Sequence, residues 1–107
     1  MNLQKPSIQL RNGYKDKQRM SDIHLIPCVL CFYLGIDQAT PTTAHHKVGM
    51  GIGKKASDLL SMALCSEHHQ KGPYAIHHIG VPAFEEKFDI DQDSLILLTD
   101  RMLEKLN

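Results

Sequence analysis

At 107 residues the chain is long enough for one domain and too short for several; such a chain buries only about two-thirds of its unfolded surface. It is 42% hydrophobic with no tryptophan, so its core is modest and a structural metal would be a natural supplement. Formal charge is zero, no stretch approaches the roughly 20 apolar residues of a membrane span, and three cysteines cannot all pair, which excludes a membrane protein and a disulfide scaffold.

The first 13 residues read as a loose polar arm, with Pro6 and Asn12-Gly13 as breakers, ahead of a single domain over 14–107. No apolar run follows the charged start, so no signal peptide is expected. Residues 14–25 predict a short, charged helix with Met20, Ile23 and Leu25 near one side, ended by Pro27. Residues 28–33 are apolar and predict a knuckle or turn. A loop over 35–43 leads into a strand that starts at Thr42-Thr43-Ala44 and carries His45 and His46. The glycine-rich segment 47–57 reads as a loop. Residues 59–64 fit a strand or a helical turn; a strand over about 60–64, ending at Cys65, pairs naturally with the first. A helix should open at Glu67 and close at Gly72-Pro73. The tail predicts two helices. Phe84 and Phe88 share a face over 81–88, and Asp93 or Ser94 caps a last helix running to about Leu106. Its stripe is Leu95, Leu98, Met102, Leu103 and Leu106.

Two half-sites dominate this pattern. Cys28-x2-Cys31 and Cys65-x2-His68 each place two soft ligands two residues apart, and together they can complete one tetrahedral zinc site. The 33 residues between Cys31 and Cys65 exceed zinc-ribbon spacing, so a strand and a loop must fit between them. The alternative is three buried cysteines packing as small hydrophobes.

Six of the seven histidines come in adjacent pairs: His45-His46, His68-His69 and His77-His78. Neighbours on a strand point to opposite faces, so one of the first pair can bind a metal while the other faces water or packs inside. His69, beside the zinc half-site, can approach His46 and leave room for a phosphate. From 45 to 72 the chain carries Lys47, Lys54, Lys55 and Lys71 against Asp58 and Glu67. Such a segment suits nucleic-acid phosphates, and equally an ordinary solvated surface. The glycine loop fails the P-loop pattern, because Lys54 is followed by Lys55 rather than Ser or Thr.

Taken in order, C-V-L-C at Cys28, A-H-H at Ala44, G-M-G-I-G-K-K, L-C-S-E-H-H at Leu64, H-H-I-G at His77 and F-E-E-K-F at Phe84 resemble the HNH nucleases of the ββα-metal class. The resemblance is closest to the phage recombination-enhancement (Ref-like) nucleases, a RecA-dependent group, and covers residues 24–103. It implies an α+β fold: a small ββα-metal core with a structural zinc knuckle and flanking helices at both ends. It implies His46 as general base, His45 on the metal side, His69 as a ligand of a catalytic Mg²⁺, Mn²⁺ or Zn²⁺, and His78 as a second ligand. Where the class usually has an asparagine to orient the base, this chain has Leu60, so Asp58 or a backbone carbonyl would take that role. The implied activity is hydrolysis of DNA phosphodiester bonds with little sequence specificity, Lys47, Lys54, Lys55 and Lys71 holding the backbone. The implied setting is the bacterial cytoplasm, with DNA and RecA filaments as partners. The alternative is a non-catalytic zinc-stabilised DNA-binding or partner-binding module.

Overall fold

The computed structural model describes residues 7–49 and 55–106 and is an α+β arrangement. Its centre is a two-stranded antiparallel sheet. β1 (Thr42–His46) pairs with β2 (Ser61–Cys65) in a register that sets Thr42 against Cys65 and His46 against Ser61. The second strand therefore starts one residue later than expected. Every residue of β2 is buried, which explains why its sequence lacks the alternation of a half-exposed strand.

Five α-helices surround the sheet among the described residues: α1 (Lys17–Ile23), α2 (Val29–Leu34), α3 (Ile76–Ile79), α4 (Val81–Phe88) and α5 (Gln92–Glu104). α1 is shorter than expected, because the Asp16 carboxylate caps it by accepting from the Arg19 amide at 3.0 Å. The C-x2-C turn continues as α2. Val29, Leu30 and Cys31 bury its inner side, and the left-handed Gly35 (φ 70°) closes it. α4 has the expected bounds, with the Phe84 and Phe88 rings 4.9 Å apart. α5 begins earlier than expected: its cap is Asp91, which accepts from the Ser94 amide at 2.8 Å, rather than Asp93 or Ser94.

α2 and α5 pack on β2, and Ile23, Leu30, Met62, Leu64, Phe84 and Leu95 form the fully buried centre. α5 also covers the outer edge of β2, where the Ala63 amide donates to Thr99 Oγ1 at 3.1 Å. Arg19 ties three elements together from a buried position. Its guanidinium donates to Ser61 Oγ (3.0 Å), to the Ser61 carbonyl (2.7 Å) and to Asp100 (2.7 Å).

Residues 7–10 form a 3-10 turn beside a second one, Asp58–Leu60. The Ser57 hydroxyl donates to the Gln9 carbonyl, and the Gly13 amide donates to the Lys55 carbonyl at 2.9 Å. The arm from residue 7 thus runs alongside the segment that leads into β2. Most of the glycine loop, residues 50–54, lies outside the described residues. No helix among the described residues is long and apolar enough to cross a membrane.

Candidate metal sites and an imidazole–carboxylate pair

The two half-sites meet. Cys28 and Cys31 come from the start of α2, Cys65 from the end of β2, and His68 from the π-helical turn Glu67–Lys71 that follows. Cys31 Sγ lies 3.8 Å from Cys65 Sγ and 3.6 Å from His68 Nδ1. His68 Nδ1 is 3.2 Å from Cys65 Sγ and 4.0 Å from Cys28 Sγ. Zinc–sulfur bonds of about 2.3 Å and zinc–nitrogen bonds of about 2.0 Å put the corners of a tetrahedron about 3.5 to 3.8 Å apart. The Cys3His cluster is therefore compatible with zinc. Burial and neighbouring sulfurs push the Cys28 and Cys31 thiols above their ordinary range, so a cation is needed to hold these sulfurs as thiolates.

A second cluster lies one residue away. His45 from β1, His69 from the same π-turn and His77 from α3 bring one nitrogen each within 4.8 Å of one another. Their ring centroids are 4.8 to 5.0 Å apart. His45 and His69 are buried and His77 is exposed, so the group opens to solvent on one side. Burial, then the neighbouring imidazoles, lower the pKa of His45 to about 3. Burial, then His77 and His46, lower that of His69 to about 4. Both rings are thus neutral near pH 7, the form that binds metal.

The hydrogen bonds fix which nitrogen each ring offers. The Thr43 hydroxyl gives its one proton to the Leu64 carbonyl at 2.7 Å, so it can only accept from His69 Nδ1–H at 2.8 Å. That leaves the lone pair of His69 on Nε2. His45 Nε2 is buried with no hydrogen-bond partner among the described residues. Gln92, buried at the start of α5, clamps both backbone polar groups of Val48, two residues beyond His46. An orphaned buried nitrogen facing two more imidazoles fits a divalent cation, and an orienting partner such as Thr43 is what metal-binding histidines usually have.

His46, the next residue along β1, is not one of the three grouped imidazoles, yet it lies close enough to act on both His45 and His69. Its Nε2 lies 2.7 Å from Asp58 Oδ1. The other oxygen, Oδ2, accepts from the Asp16 amide at 2.7 Å. Burial alone would raise the Asp58 pKa, but the Asp16 amide, the His46 ring and Lys15 outweigh it, and the carboxyl lies below its usual range. An ionised carboxylate only accepts, so Nε2 of His46 carries the proton and Nδ1 the lone pair.

The other expected site residues are placed as follows. His78 is exposed and stands outside the imidazole cluster; the ring beside His45 and His69 is that of its neighbour His77. Lys47 pairs with Asp93 at 2.7 Å, and Lys55 and Lys71 are exposed. Lys54 lies outside the described residues. Leu60, at the position of the usual asparagine, contributes only its carbonyl, which accepts from the Lys47 amide at 2.8 Å.

No family model, curated protein or solved structure matches this chain.

Proposed function

We propose that this chain is a divalent-metal-dependent endonuclease of the HNH, ββα-metal kind that hydrolyses DNA phosphodiester bonds. The reading is carried by one observation: on β1, His46, bonded to Asp58, directly follows His45, one of three imidazoles whose nitrogens lie within 4.8 Å of one another. Cys28, Cys31, Cys65 and His68 would hold a structural zinc. His45, His69 and His77 would hold the catalytic cation. When bound, that cation supplies a Lewis acid for the scissile phosphate and the leaving 3′-oxygen.

The protein's own groups then divide the remaining work. Nδ1 of His46 takes a proton from the attacking water, and Asp58 stabilises the imidazolium that results. Asp58 also fixes the ring's tautomer, the service an asparagine gives elsewhere in the class. Thr43 orients His69. Lys47, Lys54, Lys55 and Lys71 would touch phosphates rather than base edges, so little sequence preference is expected. The resemblance adds a phage recombination setting and RecA filaments as a partner.

A plasmid-nicking assay with Mg²⁺ or Mn²⁺, with and without RecA filaments, tests the reading. Cleavage by the wild type and its loss in His46→Ala support it. A wild type that binds DNA but cleaves under neither condition is a non-catalytic module.

A further inference from the structure

Asp58 opens the 3-10 turn that feeds β2, and Ser61, the first residue of β2, is the one paired with His46 across the hairpin. Strand pairing therefore sets Ser61 against His46 but leaves the place of the Asp58 carboxylate to the fold of that turn. Two bonds decide it. The Ser61 hydroxyl donates to the Asp58 carbonyl at 2.5 Å and closes the turn. The amide of Asp16, the cap of α1, donates at 2.7 Å to the carboxylate oxygen that His46 does not use.

Both bonds lead back to Arg19. Its Nε donates to Ser61 Oγ at 3.0 Å, and a terminal nitrogen donates to the Ser61 carbonyl at 2.7 Å. A hydroxyl has one proton, so with a guanidinium at its lone pair Ser61 directs that proton to Asp58. The Arg19 amide also donates to the Asp16 carboxylate at 3.0 Å, which fixes the residue that holds Asp58 from the other side. Arg19, Ser61 and Asp58 are all buried. An apolar side chain of similar size often gives an equally stable interior, so packing alone gives little reason for a guanidinium here.

We propose that Arg19, acting through Ser61, is a positioning residue that keeps the Asp58 carboxylate where it accepts from Nε2 of His46. The inference rests on His46 as general base and adds the device that sets its partner. Without the guanidinium the Ser61 hydroxyl is free to rotate off the Asp58 carbonyl, the turn loosens, and the carboxylate drifts from the imidazole. The third contact of Arg19, to Asp100 on α5, lies off this path.

Solvent exchange of the His46 Nε2 proton, followed by NMR in the zinc-loaded protein and assigned by its absence in His46→Ala, is the test. Arg19→Met keeps an apolar stem and removes the donors; Ser61→Ala cuts the same link from its other end, so a folded form of either carries the experiment. Each should speed exchange by about tenfold or more, the effect of losing one bond to a charged group. Each should also lower kcat by about 10- to 100-fold with KM unchanged, as a misplaced general base requires. Asp100→Asn loosens the anchor on α5 and should leave exchange and kcat as in the wild type. Unchanged exchange in a folded Arg19→Met or Ser61→Ala overturns the proposal. So does equally fast exchange in Asp100→Asn, or an undiminished kcat. Exchange is read whether or not DNA is cut: fast exchange in the variants of a chain that never cleaves keeps the positioning of Asp58 and removes the nuclease reading, and unchanged exchange in an active enzyme does the reverse.

Discussion

His68 and His69 are adjacent in the chain, yet each belongs to a different cluster: His68 faces the three sulfurs, His69 the other two imidazoles. Consecutive side chains on a helical turn diverge by about 100°, so a single turn can serve two sites. The turn is π-helical, a form that recurs at functional positions. It closes at Gly72, whose amide donates back to the Glu67 carbonyl at 2.9 Å. A Cβ on residue 72 would overlap that same carbonyl.

Gly72→Ala should therefore disturb both clusters at once. Metal analysis and calorimetric titration should show zinc content and second-site affinity falling together. Full retention of both would mean that the turn does not couple them.

Cys28→Ser should lower zinc content to near zero and cost most of the stability. Structural zinc binding is worth on the order of 10 kcal/mol, comparable to the whole stability of a small domain. A chelator should unfold the wild type in the same way. The check is a thermal melt with and without chelator; coincident curves would argue for cysteines that merely pack.

His46→Ala should reduce cleavage by ~10²-fold or more, since general-base catalysis typically contributes 10²–10⁴. Asp58→Asn should also reduce kcat, because the amide no longer holds charge against the imidazolium. Single-turnover rates on plasmid DNA, with zinc content as the control, separate this effect from misfolding.

Thr43→Val removes the only acceptor described for His69 Nδ1–H and keeps the side chain's shape. Second-site metal affinity should fall by roughly 10- to 100-fold, the usual cost of losing such a partner. Zinc in the Cys3His cluster should stay. Competition titration with a chromophoric chelator would measure both in one experiment.

Acid should destabilise the fold through the second cluster. The folded-state pKa of His45 is about 3 and that of His69 about 4, both below the ordinary imidazole value of 6.5. Between those limits the unfolded chain binds more protons, so stability is full above about pH 6.5 and falls as pH drops toward 4 and then 3. Urea midpoints at pH 7, 6 and 5 should decline less steeply in His45→Leu than in the wild type. Equal slopes would show that His45 does not contribute.

Local chemistry made much of this legible in advance. C-x2-C and C-x2-H fix their own short-range geometry, so the Cys3His cluster could be named from spacing alone. The strand ending at Cys65 and the Phe84–Phe88 pairing followed from length and periodicity. His77 was obscured by a helix of only four residues between Pro73 and Gly80. A signal existed: Ile76 and Ile79 are three apart, which suggests a helical turn, and on such a turn His77 and His78 must point in different directions. The knuckle at Cys28 grew into α2 because burial of Val29, Leu30 and Cys31 outweighed the weak helix preference of a Val/Cys/Phe/Tyr-rich run. Arg19 had no local signature. Its partners lie 42 and 81 positions away and converge only in the folded chain. Asp58 entered only through the resemblance, which offered it or a backbone carbonyl in place of the asparagine missing at Leu60; its bond to His46 spans 12 positions and has no local signature.

Thr99 bears on how the protein behaves when concentrated. Its hydroxyl holds the Ala63 amide, so on that side the hairpin has no spare donor at its centre to recruit a foreign strand. Growth into a fibril by stacking backbone onto β2 would first require α5 to peel away, exposing Leu95 and Ile96 to water. Thr99→Val leaves the helix in place but removes that latch, so amyloid propensity should rise in that variant.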